Sequence, residues 1–239
     1  LFHYGFASIS KPRVLRALYL MEQSVDLVFF LKDRLEFAKY FYRNASTPFM
    51  GIVAAIENED PPFVPEYDES GEPPYLQEWQ DAKTGLESVG LTALSMVASS
   101  LQLFLNDWVI QRHERRREAK YKRKHSKGWF HAYLKIFESV GLHIDECPAD
   151  LELIEQAVLA RNRGQHPEVL TMLQTTHSKS DLEKYPSPYF VSETDQKVMD
   201  FDNGELSWWL SPNVYVDEAK LDAVVAEVEK LSEWLEDDR

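Results

Sequence analysis

The chain reads as a mainly α-helical protein, an antiparallel bundle with a small β-hairpin near its C-terminus. Three observations say so. Apolar residues recur at three-four spacing over several long stretches, capping residues stand where those stretches begin, and the single segment of strand-like character is short. With 239 residues the chain can bury a full core, and its 44% hydrophobic and 13% aromatic content excludes a disordered polymer. The organisation expected is one helical domain over 1–239, carrying a proline- and acid-rich insertion or loop at 57–75 and a hairpin appendage at 188–216.

Each element has its own signal. Ser10-Lys11-Pro12 is an N-cap followed by a first-turn proline, and Leu15, Leu18, Tyr19, Val25, Val28, Phe29, Leu35 and Phe41 follow at mostly helical spacing. A helix from Pro12 to about Tyr42 is predicted, roughly 45 Å long at 1.5 Å per residue, with its aromatics in the core. Residues 58–74 hold five prolines and six acids, which forbid a continuous helix and mark a solvated connector. Residues 88–106 are uncharged throughout, so a membrane span has to be weighed. Thr92, Ser95, Ser99, Gln102 and Asn106 form a polar strip beside Leu91, Leu94, Ala98, Leu101 and Leu105, and a lipid-facing helix would not carry it. A central bundle helix over 86–111 is predicted instead, with no membrane partner.

Further on, Phe130, Tyr133, Leu134, Phe137 and Val140 share one face of a helix that ends at Gly141. Asp150 caps the next helix, whose Leu151, Ile154, Ala157, Val158 and Leu159 face inward. Phe190, Val191, Val198, Met199 and Phe201 precede Asn203-Gly204, and Leu206, Trp208, Leu210, Val214 and Tyr215 follow it, the pattern of a hairpin. Asp217-Glu218 then caps a last helix with Leu221, Val224, Val225, Val228, Leu231 and Leu235.

The net charge of −14 argues against broad nonspecific affinity for nucleic acid. The charge is uneven, however. Residues 112–127 carry nine Lys/Arg against two Glu, so the rest of the chain is more acidic still. Arg112, Arg115, Arg116, Lys120, Lys122, Arg123 and Lys124 could track phosphates while Tyr121 stacks on a base, and a solvated helix end is the equally weighted reading. One cysteine, Cys147, forms no internal disulfide, and no secretory leader pattern opens the sequence; the expected location is cytoplasmic.

The chemistry concentrates between Leu159 and Pro167. Arg161 carries a permanent charge and a fork of donors matched to phosphate, Asn162 follows it directly, and His166 can exchange a proton near neutrality. Five residues apart on an ideal helix, Arg161 and His166 would point about 140° away from each other. A loosening at Gly164 and Pro167, or the meeting of two chains, would be needed to bring them together.

Arg161-Asn162-(three residues)-His166 resembles the Arg-x4-6-His signature of the HEPN superfamily (higher eukaryotes and prokaryotes nucleotide-binding), and the helices from Leu86 to Trp234 resemble that family's order of elements. Pro167 departs from the Asn or Gly that many members place after the histidine. The resemblance implies a HEPN-like bundle, a homodimer with two motifs facing each other, and metal-independent cleavage of RNA. His166 would be the general base at a ribose 2′-hydroxyl, Arg161 would neutralise charge growing on the phosphoryl oxygens, and Asn162 would orient either group. Arg163 would be at most a phosphate contact. The implied setting is a toxin or an antiviral-defence effector held by an inhibitory antitoxin or defence-complex partner, needing no cofactor and no metal. Two alternatives stay open: a noncatalytic HEPN-like module that binds RNA or protein, and a purely structural helical adaptor in which Arg161 and His166 only cap a helix. No metal-ligand spacing, nucleophile turn or phosphate-cradling glycine loop competes with these readings.

Overall fold

The computed structural model describes residues 26–65, 73–114, 128–165, 174–201 and 211–237, and the side chains of 112–114 lie outside this description. Seven α-helices are described: α1 Leu27–Glu57, α2 Leu76–Glu114, α3 Trp129–Ser139, α4 Leu151–Gln165, α5 Lys179–Lys184, α6 Glu193–Phe201 and α7 Glu218–Asp237. A short 3-10 turn, Ile144–Glu146, follows α3.

Side-chain pairs give the directions of the long helices. Trp79 meets Glu57, a Cβ on Gly85 would strike the Phe49 ring, and Arg34 meets Ser100. One number falls as the other rises, so α1 and α2 are antiparallel. Gly90 meets Val216 just before α7, and Trp108 Nε1 donates to the Leu235 carbonyl at 3.1 Å, so α7 runs parallel to α2. The Asp150 N–H at the head of α4 donates to Glu227 at 2.7 Å, while Gly164 near its end packs on Leu91. Accordingly α4 runs antiparallel to both α2 and α7. These four helices form a bundle in which α2 and α7 touch each other and each contacts both α1 and α4. Its core runs through Leu31, Leu35, Leu94, Leu101, Leu105, Ile154, Leu221 and Leu231, all nearly inaccessible to solvent. A T-shaped contact at 5.2 Å joins Phe137 of α3 to Trp108.

Several expectations stand. Asp150 accepts from Leu153 N at 2.9 Å and Asp217 accepts from Lys220 N at 2.8 Å, so both caps are in place. Gly141 has φ of +95°, the left-handed geometry that suits a residue after a helix end. The uncharged stretch 88–106 is part of α2, whose Leu76–Gln111 portion is the one described helix long and apolar enough to cross a membrane; 56% of its most apolar window is buried inside the molecule.

Others are corrected. The Ser10 cap lies outside the described residues, and a helix from Pro12 to Tyr42 is replaced by one that begins at Leu27. Asp26 is extended, with φ −71° and ψ 91°, and its carboxylate accepts from Phe29 N at 2.9 Å, which starts a helix there. That helix continues through Pro48 to Glu57 because Tyr42, Ser46 and Phe49 prolong its packed stripe, while the Asn44 and Thr47 side chains bond carbonyls one turn back. The aromatics placed in the core divide: Tyr42 is buried, whereas Phe29, Phe30, Phe37 and Tyr40 face outward. α2 starts ten residues before the predicted Leu86, at Leu76. The first arm of the expected hairpin is also different, since Val198, Met199 and Phe201 belong to α6. Asn203-Gly204 lies outside the described residues, and the only β-bridge among those described is the antiparallel pair Thr176 and Asn213.

Candidate functional site

α4 carries the motif, and its position is fixed at both ends. At the head, Asp150 bonds Leu153 N with its side chain and Glu227 of α7 with its own N–H. Burial would raise the Glu227 carboxyl, but bonds from Lys230 and from Asp150 N–H outweigh it and hold it below the usual range. Near the tail, a Cβ on Gly164 would sit 2.3 Å from Leu91 Cδ2, so this glycine lets α4 lie close against α2. The helix does not loosen there. It continues through Gly164 to Gln165.

The inner face of α4 is Leu153, Ile154, Ala157, Val158 and Ala160. Arg161 follows Ile154 by seven residues and Ala157 by four, which returns it to the same stripe within about 40°. A guanidinium therefore stands where the pattern calls for an apolar side chain. Its Nε is buried without a hydrogen-bond partner, and Nη1 donates to Asn162 Oδ1 at 3.0 Å. Burial lowers its pKa, and it makes no ion pair among the described residues. A positive group kept partly from water, oriented by a neighbouring amide and lacking a carboxylate, is suited to an oxyanion such as phosphate.

Arg163 has a different environment. Its Nε donates to Asp181 Oδ2 at 3.0 Å, joining α4 to the head of α5. Asp181 is buried and also forms a capping box with Ser178. Lys184 and Tyr185 reach Glu155 of α4, and Gln156 accepts from Tyr189 N at 2.8 Å. This outer side of α4 is thus occupied by the chain that follows the motif. Arg163 is a strut there, with its charge already met.

His166 lies outside the described residues, as do Arg115, Arg116, Lys120, Tyr121, Lys122, Arg123 and Lys124; Arg112 is in α2, with its side chain outside. Of the predicted site residues, Arg161, Asn162 and Arg163 are therefore placed, and the first two are joined. No comparison with protein-family models, curated proteins or solved structures returns a match. Among the described residues, no group of three or more His, Cys, Asp or Glu is arranged to hold a metal ion.

One residue near the site, His177, reads from the sequence as part of a polar loop with Ser178 and Ser180, and the structure corrects that reading. His177 is buried, its Nε2 lies 2.9 Å from the Phe190 carbonyl, and its N–H donates to the Pro212 carbonyl at 3.0 Å. Val214 N to Thr175 O and Tyr215 N to Phe190 O complete a clamp of three irregular segments. Burial pushes the imidazole pKa down, against the opposing effects of the Phe190 carbonyl and Asp181. The one available signal was Ser178-x-x-Asp181, a capping pattern that anchors a helix directly after His177.

Proposed function

We propose that the chain is a metal-independent endoribonuclease of HEPN type, working in the cytoplasm as a toxin or defence effector under the control of an inhibitory partner. The observation that carries the reading is Arg161: a partly buried guanidinium with no ion pair among the described residues, on the apolar stripe of α4, held by Asn162. A residue serving only as a helix cap would direct its donors to backbone carbonyls. Arg161 instead donates to a side chain and keeps a buried donor unmatched, which costs stability and is tolerated where binding requires it.

In the reaction, His166 takes the proton of a ribose 2′-hydroxyl. The 2′-oxygen attacks the adjacent phosphorus, the bond to the 5′-oxygen breaks, and that oxygen leaves with a proton. The products are a 2′,3′-cyclic phosphate and a 5′-hydroxyl. Arg161 neutralises the charge that accumulates on the phosphoryl oxygens, and Asn162 keeps it aimed. DNA lacks the attacking hydroxyl and is not a substrate.

The test is cleavage of structured RNA in EDTA by the parent chain, Arg161→Ala and His166→Ala. The expected result is cyclic-phosphate ends from the parent and a loss of at least about a hundredfold in each variant, the scale of a missing general base or charge stabiliser. Equal cutting by all three, or an inert parent at high protein concentration, overturns the catalytic reading.

A further inference from the structure

An open groove of about 590 Å³ runs between α1 and α2. Its α1 side is Asp33, Arg34 and Phe37, and at about 100° per residue Phe37 falls between the two charged positions around the helix. Its α2 side carries Ser95, Met96, Ser99 and Ser100, which share one helix face. The other cations of α1 are all paired: Lys32 with Glu233, Lys39 with Glu36 and Asp222, and Arg43 with Glu218. Asp33 and Arg34 make no ion pair among the described residues, with each other or with a third group. Arg34 Nε donates to Ser100 Oγ at 3.1 Å, and Ser100 in turn donates to the Met96 carbonyl at 2.8 Å. The guanidinium is thus held against α2, while its two terminal nitrogens have no partner among the described residues. Ser95 and Ser99 are half-buried, and their hydroxyls make no hydrogen bond among the described residues. Phe37 is 57% exposed, its ring stacked on Tyr40 at 6.3 Å between centroids.

We infer that this groove binds a free α-amino acid with an aromatic side chain. Such a ligand carries an ammonium and a carboxylate on one carbon, which answers an unpaired carboxylate beside an unpaired guanidinium. A simple anion would be repelled by Asp33 and a simple cation by Arg34, so the pair selects for a zwitterion. The ligand carboxylate takes the terminal nitrogens of Arg34 in a charge-assisted, two-point bond. The ammonium goes to Asp33, and the hydroxyls of Ser95 and Ser99 meet the hydrogen-bonding capacity left on either group. The ring lies against Phe37 and Met96, where offset stacking and sulfur contact both favour an aromatic over an aliphatic side chain. The groove is within the range of small-molecule clefts, roughly 300–1,000 Å³. Net charge favours the same class. A chain of −14 repels anions at long range, and a ligand neutral overall escapes that field.

The inference needs neither Arg161 nor ribonuclease activity, and its test contains no RNA. The full chain is titrated with L-phenylalanine, L-tyrosine and L-tryptophan, with binding read by saturation-transfer NMR. The tightest of the three is then compared with its deaminated and its decarboxylated analogue, on the parent, Asp33→Asn and Arg34→Gln. Circular dichroism confirms that both variants are folded. The expected result is saturable binding of an amino acid by the parent, with each analogue at least about tenfold weaker, the scale of one lost charged hydrogen-bond pair. In Arg34→Gln the preference over the decarboxylated analogue disappears and that over the deaminated one remains; in Asp33→Asn the reverse holds. Failure of all three amino acids to saturate at millimolar concentration overturns the inference. Analogues that bind as well as the amino acid, or preferences that survive in both variants, refute the roles of Asp33 and Arg34 and with them the site.

Discussion

Burial lowers the pKa of both Arg161 and His177, with different outcomes. Arg161 keeps its charge at the edge of the core with one donor unmatched, whereas His177 is stabilised as the neutral ring that bonds the Phe190 carbonyl. The depressed pKa of His177 means that the unfolded chain binds a proton more readily than the folded one. Its contribution is therefore complete above the unfolded value of about 6.5, declines as pH falls below it, and levels off below the folded pKa. Asp181 and Asp195 oppose the shift and Arg163 adds to it, so the charged neighbours moderate the loss without reversing its sign. The urea midpoint of the parent is expected to fall from pH 7.5 to pH 5.5 by more than that of His177→Gln. Equal falls would remove His177 from the account.

Close contacts between helices explain what the elements require of their sequence. At Gly90 an added Cβ would sit 2.2 Å from the Val216 carbonyl oxygen, and that backbone leads directly into α7. Gly90→Ala gains about 1 kcal/mol of helix propensity yet is expected to lose a net 1–3 kcal/mol, because overpacking against backbone outweighs it. A denaturant midpoint equal to or above that of the parent would contradict this. Spacing and caps made α2, α3, α4 and α7 legible, since Asp150, Gly141 and Asp217 are local signals that the fold uses directly. The end of α1 was not legible: Pro48 is a breaker by composition, and only burial of Ser46 and packing of Phe49 on Gly85 carry the helix past it. α6 was mistaken for a strand arm because Val198, Met199 and Phe201 favour either form in so short a segment. At the site, the sequence supplied the position of Arg161 on α4, but its unmatched donor and the Asp181 partner of Arg163 depend on contacts across the fold.

On the scale of the whole molecule, α7 closes the bundle. It packs on α1, α2 and α4, buries Leu221, Val224, Val225, Val228, Leu231 and Leu235, and accepts the Trp108 indole proton on a backbone carbonyl. A chain stopped after residue 216 is expected to lose the cooperative urea transition, because the apolar faces of three long helices are left open to water. A sharp transition in that variant, followed by circular dichroism, would show the remaining helices to be self-sufficient. Synthesis adds a consequence. α1 and α2 can pair as soon as they emerge from the ribosome, but α4 gains its second neighbour and its Asp150 to Glu227 bond only after α7 has been translated. Until then, α4 is packed on α2 alone among the other three bundle helices.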